Sequence, residues 1–276
     1  MAREEGSLPE QASLAEMFAD IVGADHVLVG SAVKGDYRHD EALTEDPQAP
    51  LAVACPNTTD EVAGLLRVAD ENGIPVTARG AGTGLSGAAV PEPNGIVVSF
   101  ERMNRILEVD EENFVAVVEP GVQLDQLDAE LAARDLVYPV FPGEYSASLG
   151  GNINTNAGGM RAVKYGVTRQ NVLGLEAVLP SGEVVTSGGK VVKVSSAYDL
   201  TQLLVGSEGT LALTTKAYLR LYPRLAHQVT VLAPFTTLDE VTRAVPEVVA
   251  SGADPLILEY IDMLTMAAAT AHVGLD

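Results

Sequence analysis

Four glycines fall between positions 80 and 87, in Arg79-Gly80-Ala81-Gly82-Thr83-Gly84-Leu85-Ser86-Gly87, directly after the apolar run Ile74-Pro75-Val76-Thr77-Ala78. Gly82-x-Gly84-x-x-Gly87 matches the fingerprint of a strand, a tight turn and a dinucleotide-binding helix in succession. That arrangement needs its last glycine inside a helix. Here Gly87 is followed by Ala88-Ala89-Val90-Pro91-Glu92-Pro93-Asn94-Gly95. An interior proline costs a helix about 3 kcal/mol, so this stretch does not continue as one. Nor does a strand ending in an acidic residue lie about 20 residues further on in the right context. The nicotinamide-type doubly wound fold is thereby disfavoured. What remains is a turn rich in bare N–H groups, an anion-binding nest whose usual guest is phosphate. Arg79 adds positive charge at its entry, and Thr83 and Ser86 add hydroxyls. The reading is a pyrophosphate cradle built from turn amides; a turn with no ligand rarely needs four glycines.

The rest of the chain gives this loop something to stand on. Of 276 residues, 47% are hydrophobic, enough for a real core in one or two domains. A net charge of −21 argues against a nucleic-acid partner, because phosphate backbones repel such a surface. It suits a solvated acidic shell or, as the sharper alternative, the docking of a cationic protein. One cysteine, Cys55, leaves no internal disulfide and suggests a reducing compartment. The start, Met1-Ala2-Arg3-Glu4-Glu5, lacks a leader's apolar core, and no run approaches the ~20 apolar residues of a membrane span. A soluble cytoplasmic protein with no integral membrane segment is the expectation.

In chain order, Ser7-Leu8-Pro9-Glu10 reads as a capping box for a helix with Leu14, Met17, Phe18, Ile21 and Val22 on one face and Gly23 as its stop. Lys34 to Ala49 is charged and weakly periodic, a connecting segment. A strand at 51–54 precedes a helix capped by Thr58-Thr59-Asp60-Glu61, faced by Val62, Leu65, Leu66 and Ala69 and ended by Asn72-Gly73. Strand 74–78, the glycine loop and strand 95–100 complete a small α+β unit. Strands 106–109 and 114–118 flank a turn at 110–113, and Leu124, Leu127 and Leu131 mark a helix. Pro180-Ser181-Gly182 joins strands 173–179 and 183–186, and 210–221 reads as a long strand. After Tyr222-Pro223 the pattern restarts as a βαβ unit: strand 229–233, a helix capped at Thr237, strand 256–260 and a helix from Asp262. It stops before a domain could close, so a truncated chain is expected.

Two further glycine clusters stand apart. The stretch from Pro142 to Gly159 is the longest without periodicity, and an irregular loop of that length is usually functional. It offers backbone amides together with Asn152, Asn154 and Asn156, uncharged groups suited to the edge of a heteroaromatic ring. Arg161, Lys164 and Tyr165 follow, and Gly206-Ser207-Glu208-Gly209-Thr210 is a third, shorter turn. Together the three clusters suit a large cofactor with a pyrophosphate and a flat, polar-edged ring.

At this level the chain resembles the flavoproteins of the vanillyl-alcohol oxidase type. Among them it is similar to FAD-linked 2-hydroxyacid dehydrogenases such as the FAD subunit of glycolate oxidase and D-lactate dehydrogenase. The resemblance runs from about Ala49 to Pro223, more weakly to residue 276. It rests on the 79–87 loop, Glu119-Pro120-Gly121-Val122, Gly150-Gly151-Asn152-Ile153-Asn154-Thr155-Asn156-Ala157-Gly158-Gly159, Lys164-Tyr165-Gly166, Tyr198-Asp199-Leu200 and Gly206-Ser207-Glu208-Gly209-Thr210-Leu211. It implies an α+β fold: a two-lobed FAD-binding domain of the p-cresol methylhydroxylase (PCMH) type over 47–224, with lobes of about 47–105 and 106–224. Residues 1–46 would precede it as a helix and connecting segment, and 225–276 would begin an incomplete substrate-binding cap. Arg79, Gly80, Ala81, Gly82, Thr83, Gly84, Leu85 and Ser86 would hold the pyrophosphate. Ser146, Ala147, Ser148, Gly150, Gly151 and Asn152 would meet pyrophosphate and isoalloxazine, as would Asn156, Ala157, Gly158 and Gly159. Glu208, Gly209 and the strand near Leu213 would line the adenosine side or the floor. Ala212-Leu213 departs from the Gly-Val or Gly-Ile usual in the family, which weakens the expectation there.

Some members attach FAD through a histidine or cysteine. Neither occurs in 79–87, nor from 56 to 226, so noncovalent FAD is expected. The chemistry needs the flavin held against a carbon–hydrogen bond with a base near the hydroxyl. His26, His39, His227 and His272 all fall outside the matched motifs and read as surface or loop residues. In the resembling dehydrogenases the catalytic histidines and any metal ligands lie in the cap, so no catalytic residue or metal ligand is assigned. Arg161, Lys164 and Arg169 either hold an anionic substrate or stabilise reduced flavin, or are solvated loop cations. The resemblance implies oxidation of a small 2-hydroxy acid with electrons passed to an acceptor protein or quinone. The alternatives are an FAD-holding subunit that works with another chain, and a related oxidase of sugars, alditols or phenols.

Overall fold

The structure is a computed structural model that describes residues 11–274; the Ser7–Glu10 capping signature and the last two residues lie outside them. Helix α1 (Gln11–Val22) buries Leu14, Phe18 and Val22, spaced four apart on one stripe, and ends at Gly23, whose φ is 89°. Strands β1 (Val27–Val29) and β2 (Ala52–Ala54) pair antiparallel. Helix α2 (Thr59–Glu71) starts where Thr58 accepts the Glu61 N–H. The Glu61 carboxylate takes the Asn57 N–H at 2.7 Å, one residue earlier than a reciprocal box would have it. Strands β3 (Val76–Arg79) and β4 (Ile96–Ser99) follow, and the sheet runs β1-β2-β4-β3. β4 is parallel to both of its neighbours, and β2 and β4 are buried throughout, as parallel strands covered on both faces are. The glycine loop leaves the carboxyl end of β3.

The second sheet is antiparallel, in the order β5-β6-β10-β8-β9. β5 (Ile106–Asp110) and β6 (Val115–Val118) form the first hairpin, with Phe114 at φ 54° in its turn. Helix α3 (Leu124–Ala132) buries Leu124, Leu127 and Leu131, and β7 (Leu136–Val137) pairs with β11 (Tyr222–Pro223). Helices α4 (Leu149–Asn154), α5 (Ala162–Tyr165) and α6 (Thr168–Asn171) lie between β7 and β8 (Val172–Val178). β9 (Val184–Gly188), α7 (Leu200–Leu204) and β10 (Leu213–Arg220) follow. Val178 and Leu213, from the second sheet, pack into the core of the first with Leu65 and Ile96. Beside them the Glu176 carboxylate accepts from Thr59 at 2.8 Å, Thr215 at 3.1 Å and Lys216 at 3.1 Å. Burial raises its pKa, these bonds and the Lys216 charge together lower it by more, and the net effect holds the carboxyl below its ordinary pKa.

Two expectations fail. Residues 149–154, read as loop, form a helix. Residues 229–233 and 256–260, read as strands, are not paired: a strand exists through its partner, and no described segment lies along either. The helices between and after them do form, α8 (Leu238–Ala250) from a Thr237–Glu240 capping box and α9 (Met263–Val273) from Asp262. Neither has a buried residue. No helix of the described chain is long and apolar enough to cross a membrane.

Candidate functional site

The three glycine clusters meet at one cleft of about 530 Å³, within the range of cofactor pockets. The loop from Gly80 to Ser86 forms one wall, residues 147–158 form the other, and Glu208 and Thr214 close one side. The walls are tied by Ser148. Its hydroxyl accepts the Gly151 N–H as the cap of α4 and the Ala81 N–H from the glycine loop, at 3.3 and 3.2 Å. A Cβ on Gly80 would overlap that hydroxyl, so the close approach requires glycine.

Helix α4 is set from below by the 119–122 motif. Leu149 N–H donates to Val122 and Gly150 N–H to Pro120, both at 2.8 Å, and Gly150 lies so close to Pro120 that a side chain would collide. The Gly206 and Glu208 N–H groups donate to the Ile153 and Asn154 carbonyls, which brings the third turn to the end of α4. Residues 157–159 are fixed by Thr168, fully buried, which bonds the Ala157 carbonyl through both N–H and hydroxyl at 3.0 and 2.8 Å. Asn156, at φ 50°, accepts the Arg169 N–H.

Arg79 takes a place the sequence did not indicate. Its guanidinium does not line the cleft. It lies behind the loop where a Gly82 side chain would go, donates to the His39 carbonyl at 2.7 Å and sits 5.9 Å over the Tyr37 ring. Burial lowers its basicity, opposed by Asp36, Tyr37 and Asp40. Tyr37 donates to Glu101 at 2.9 Å, and burial with that bond pushes the phenol up. Cys55 donates to the other Glu101 oxygen, and burial beside that carboxylate pushes the thiol up to about 12.

The segment 34–49, read as a connector, is the largest omission. Asp40, buried, accepts the Ala42 N–H at 3.0 Å and the Ala89 N–H at 3.4 Å, and the Glu41 N–H donates to the Gly84 carbonyl. Asp40 and Glu41 both line the cleft. Only their charge was visible in the sequence; no periodicity marks residues that work through backbone bonds. Among the other expected residues, Ala147, Ser148, Gly150, Gly151, Asn152, Asn156, Ala157, Gly158 and Glu208 line the cleft. Ser146 and Gly159 do not, and Gly209 and Leu213 face a second cavity of about 210 Å³ between α2 and β10. Among the described residues, no lysine or arginine lines the main cleft, and none of the four histidines does.

Two buried polar atoms on the cleft lining have no partner among the described residues: the amide nitrogen of Asn152 and the amide oxygen of Asn154. Neutral N–H groups on the glycine loop, with a cation behind and none in front, suit an anion held by backbone.

Comparison with known proteins agrees with this geometry. Residues 50–188 match the family described as FAD binding domain, and residues 224–276 match the C-terminal domain of FAD linked oxidases. An uncharacterized FAD-linked oxidoreductase of Mycobacterium tuberculosis is 58% identical, covering 94% of this chain and 56% of its own length. A D-lactate dehydrogenase of Archaeoglobus fulgidus is 47% identical over 82% of this chain and 51% of its own. The glycolate oxidase subunit GlcD of Bacillus subtilis is 40% identical over 91% and 53%. The chain thus spans about half the length of these relatives. In fold it is similar to an alkyldihydroxyacetonephosphate synthase, with a TM-score of 0.75 and 19% identity over 92% of this chain and 48% of that one.

Proposed function

The chain belongs to the FAD binding domain family and takes FAD as its cofactor, and on that premise we propose that it is the cofactor-holding part of an oxidoreductase acting on a small 2-hydroxy acid such as glycolate or D-lactate. The observation that carries this reading is one cleft lined by the 80–86 loop, by residues of the 142–158 stretch including Asn152 and Asn154, and by Glu208 of the third turn. The names of two relatives, a D-lactate dehydrogenase and a glycolate oxidase subunit, support the substrate class.

The residues present fit FAD. The N–H groups of residues 80–86 would hold its pyrophosphate, and Gly80, having no Cβ, lets the loop close on Ser148. Asn152 and Asn154 would meet the polar edge of the isoalloxazine, with Ala157 and Gly158 beside them. Glu208, which lines the cleft, would face the adenosine or the floor beneath it. When bound, FAD supplies a two-electron acceptor for the substrate's carbon–hydrogen bond. The chain orients that acceptor through α4, which Pro120 and Val122 hold rigidly against the second core. Noncovalent attachment is part of this proposal; among the described residues no histidine or cysteine lines the cleft. The domain spans 47–224, and electrons leave to an acceptor protein or quinone.

Anaerobic addition of D-lactate or glycolate to the FAD-loaded protein should bleach the flavin band near that of free FAD. No bleaching by either acid, with FAD bound, would replace this reading with a second one: an FAD-holding chain that works only with another. The open faces of α8 and α9 favour that second reading. Precipitation with trichloroacetic acid should leave the flavin in the supernatant; colour in the pellet would overturn noncovalent attachment.

A further inference from the structure

We infer that Asp40 is a positioning residue of the cofactor cleft: its carboxylate holds the glycine loop in the shape that offers backbone N–H groups to a pyrophosphate. The inference rests on the proposed FAD site and names a residue outside the glycine motifs.

Electrostatics alone would keep a carboxylate away from this place. The cleft is lined by Asp40, Glu41, Glu144 and Glu208 and, among the described residues, by no lysine or arginine. Each of these carboxylates repels a pyrophosphate. Glu41, Glu144 and Glu208 are exposed, so water and salt screen them; Asp40 is only 5% exposed and is screened least. A buried carboxylate persists where it is hydrogen-bonded. Asp40 is held by backbone: one oxygen accepts the Ala42 N–H at 3.0 Å, the other the Ala89 N–H at 3.4 Å.

Those two donors lie on different segments. Ala42 belongs to the 34–49 segment, and Ala89 follows the glycine loop and lines the cleft. One carboxylate therefore ties the two, and the contacts beside it continue the seam. The Asp40 Oδ2 atom lies 3.4 Å from where a Gly84 Cβ would stand, and the Glu45 Cγ fills the place of a Gly87 Cβ. Asp40 also fixes its neighbour Glu41, whose N–H donates to the Gly84 carbonyl at 2.8 Å. That carbonyl and the Leu85 N–H belong to one trans peptide and point in opposite directions. The Leu85 N–H is thus turned away from the 34–49 segment and has no acceptor among the described residues, and Leu85 lines the cleft.

The sign of one substitution decides. Asp40→Ala takes a negative charge out of an anion site and leaves Arg79 with one fewer carboxylate facing it. Both changes, acting alone, tighten FAD; loss of the tie between segment and loop weakens it. Flavin fluorescence on dilution of the FAD-loaded protein should show Asp40→Ala binding FAD about tenfold more weakly than wild type. Asp40→Asn keeps the shape and an oxygen for one of the two N–H groups, and should fall between. Asp36→Ala removes another carboxylate that faces Arg79, an exposed one with no hydrogen bond to the loop, and should bind FAD like wild type. Phosphorus NMR should find the pyrophosphate resonances of bound FAD displaced in Asp40→Ala while the visible flavin band stays in place. Tighter or unchanged FAD binding in Asp40→Ala overturns the inference, as does equal weakening by Asp36→Ala. A displaced flavin band with unmoved phosphorus resonances also overturns it, because the disturbance would then lie away from the cradle. Should Asp40→Ala fail to fold, the direction of the change in Asp40→Asn decides in the same way. A wild type that holds no FAD would overturn the FAD site and this inference with it. Bleaching by D-lactate or glycolate is a separate measurement, so the 2-hydroxy acid reading can fail while the role of Asp40 stands, and the reverse.

Discussion

At Gly82 the backbone turns through φ 77°, and a side chain would run into the Arg79 guanidinium rather than into the cleft. The glycine is required from behind. Valine there meets a cost on the order of 1–3 kcal/mol for its backbone conformation and also displaces a buried cation from Tyr37 and the His39 carbonyl. Gly82→Val should therefore purify without flavin; wild-type flavin content in that variant would remove the 79–87 loop from the FAD site. The loop itself was legible from four glycines and two prolines. The side of it on which Arg79 lies was not, because that depends on Tyr37 and His39, some forty residues away. Cys55 gives a second residue-scale test. Its folded thiol is pushed up to about 12 while an unfolded one titrates near 8.5, so the folded state keeps a proton that the unfolded state loses. The associated stability is complete below about pH 8.5 and declines as pH rises toward 12, with a slope of at most about 1.4 kcal/mol per pH unit. Denaturant unfolding across that window should show Cys55→Ala with a shallower decline than wild type; identical slopes would count against the buried Cys55–Glu101 pair.

Among the elements, α4 carries the most consequence for so short a helix. It has two glycines and two asparagines in six residues, all poor helix formers, which is why no periodicity announced it. It persists because tertiary contacts decide: the Ser148 cap, the Pro120 and Val122 carbonyls beneath, and the buried Leu149 and Ile153. The strands β2, β4, β6 and β8 were legible because each is a local apolar run bounded by turn residues, and the helices α2, α8 and α9 because their caps lie within a few residues of their starts. Residues 229–233 and 256–260 show the limit of that signal, since alternation alone does not supply a partner strand. Ser148→Ala removes one acceptor from two backbone donors, the Ala81 and Gly151 N–H groups. Both bonds are long, at 3.2 and 3.3 Å, so the expected cost is near the low end, about 1–2 kcal/mol. The variant should unfold at lower denaturant and bind FAD severalfold more weakly, read by flavin fluorescence titration. A stability loss with unchanged FAD affinity would mean that Ser148 caps α4 without joining the two walls.

Across the molecule, order is unevenly distributed. Val178 and Leu213 carry β8 and β10 into the core of the first sheet, so those strands open only when both cores do. Helices α8 and α9 add no buried side chain to either core; between them Asp254 pairs with Lys164, a half-exposed contact of a kind that contributes little. Hydrogen exchange should therefore find β8 and β10 protected to the level of global unfolding and α8 and α9 exchanging through local opening. FAD binds the folded cleft, and at about 100 times its Kd it adds about 2.7 kcal/mol to the global term, a slowing of about a hundredfold in strands that exchange by that route. The same addition should leave α8 and α9 unchanged, because their opening does not dismantle the cleft. If FAD slows α8 and α9 by the same factor as β8 and β10, residues 225–274 are coupled to the cofactor through more than one surface ion pair. If it slows neither, the cleft between the two sheets is not where FAD binds.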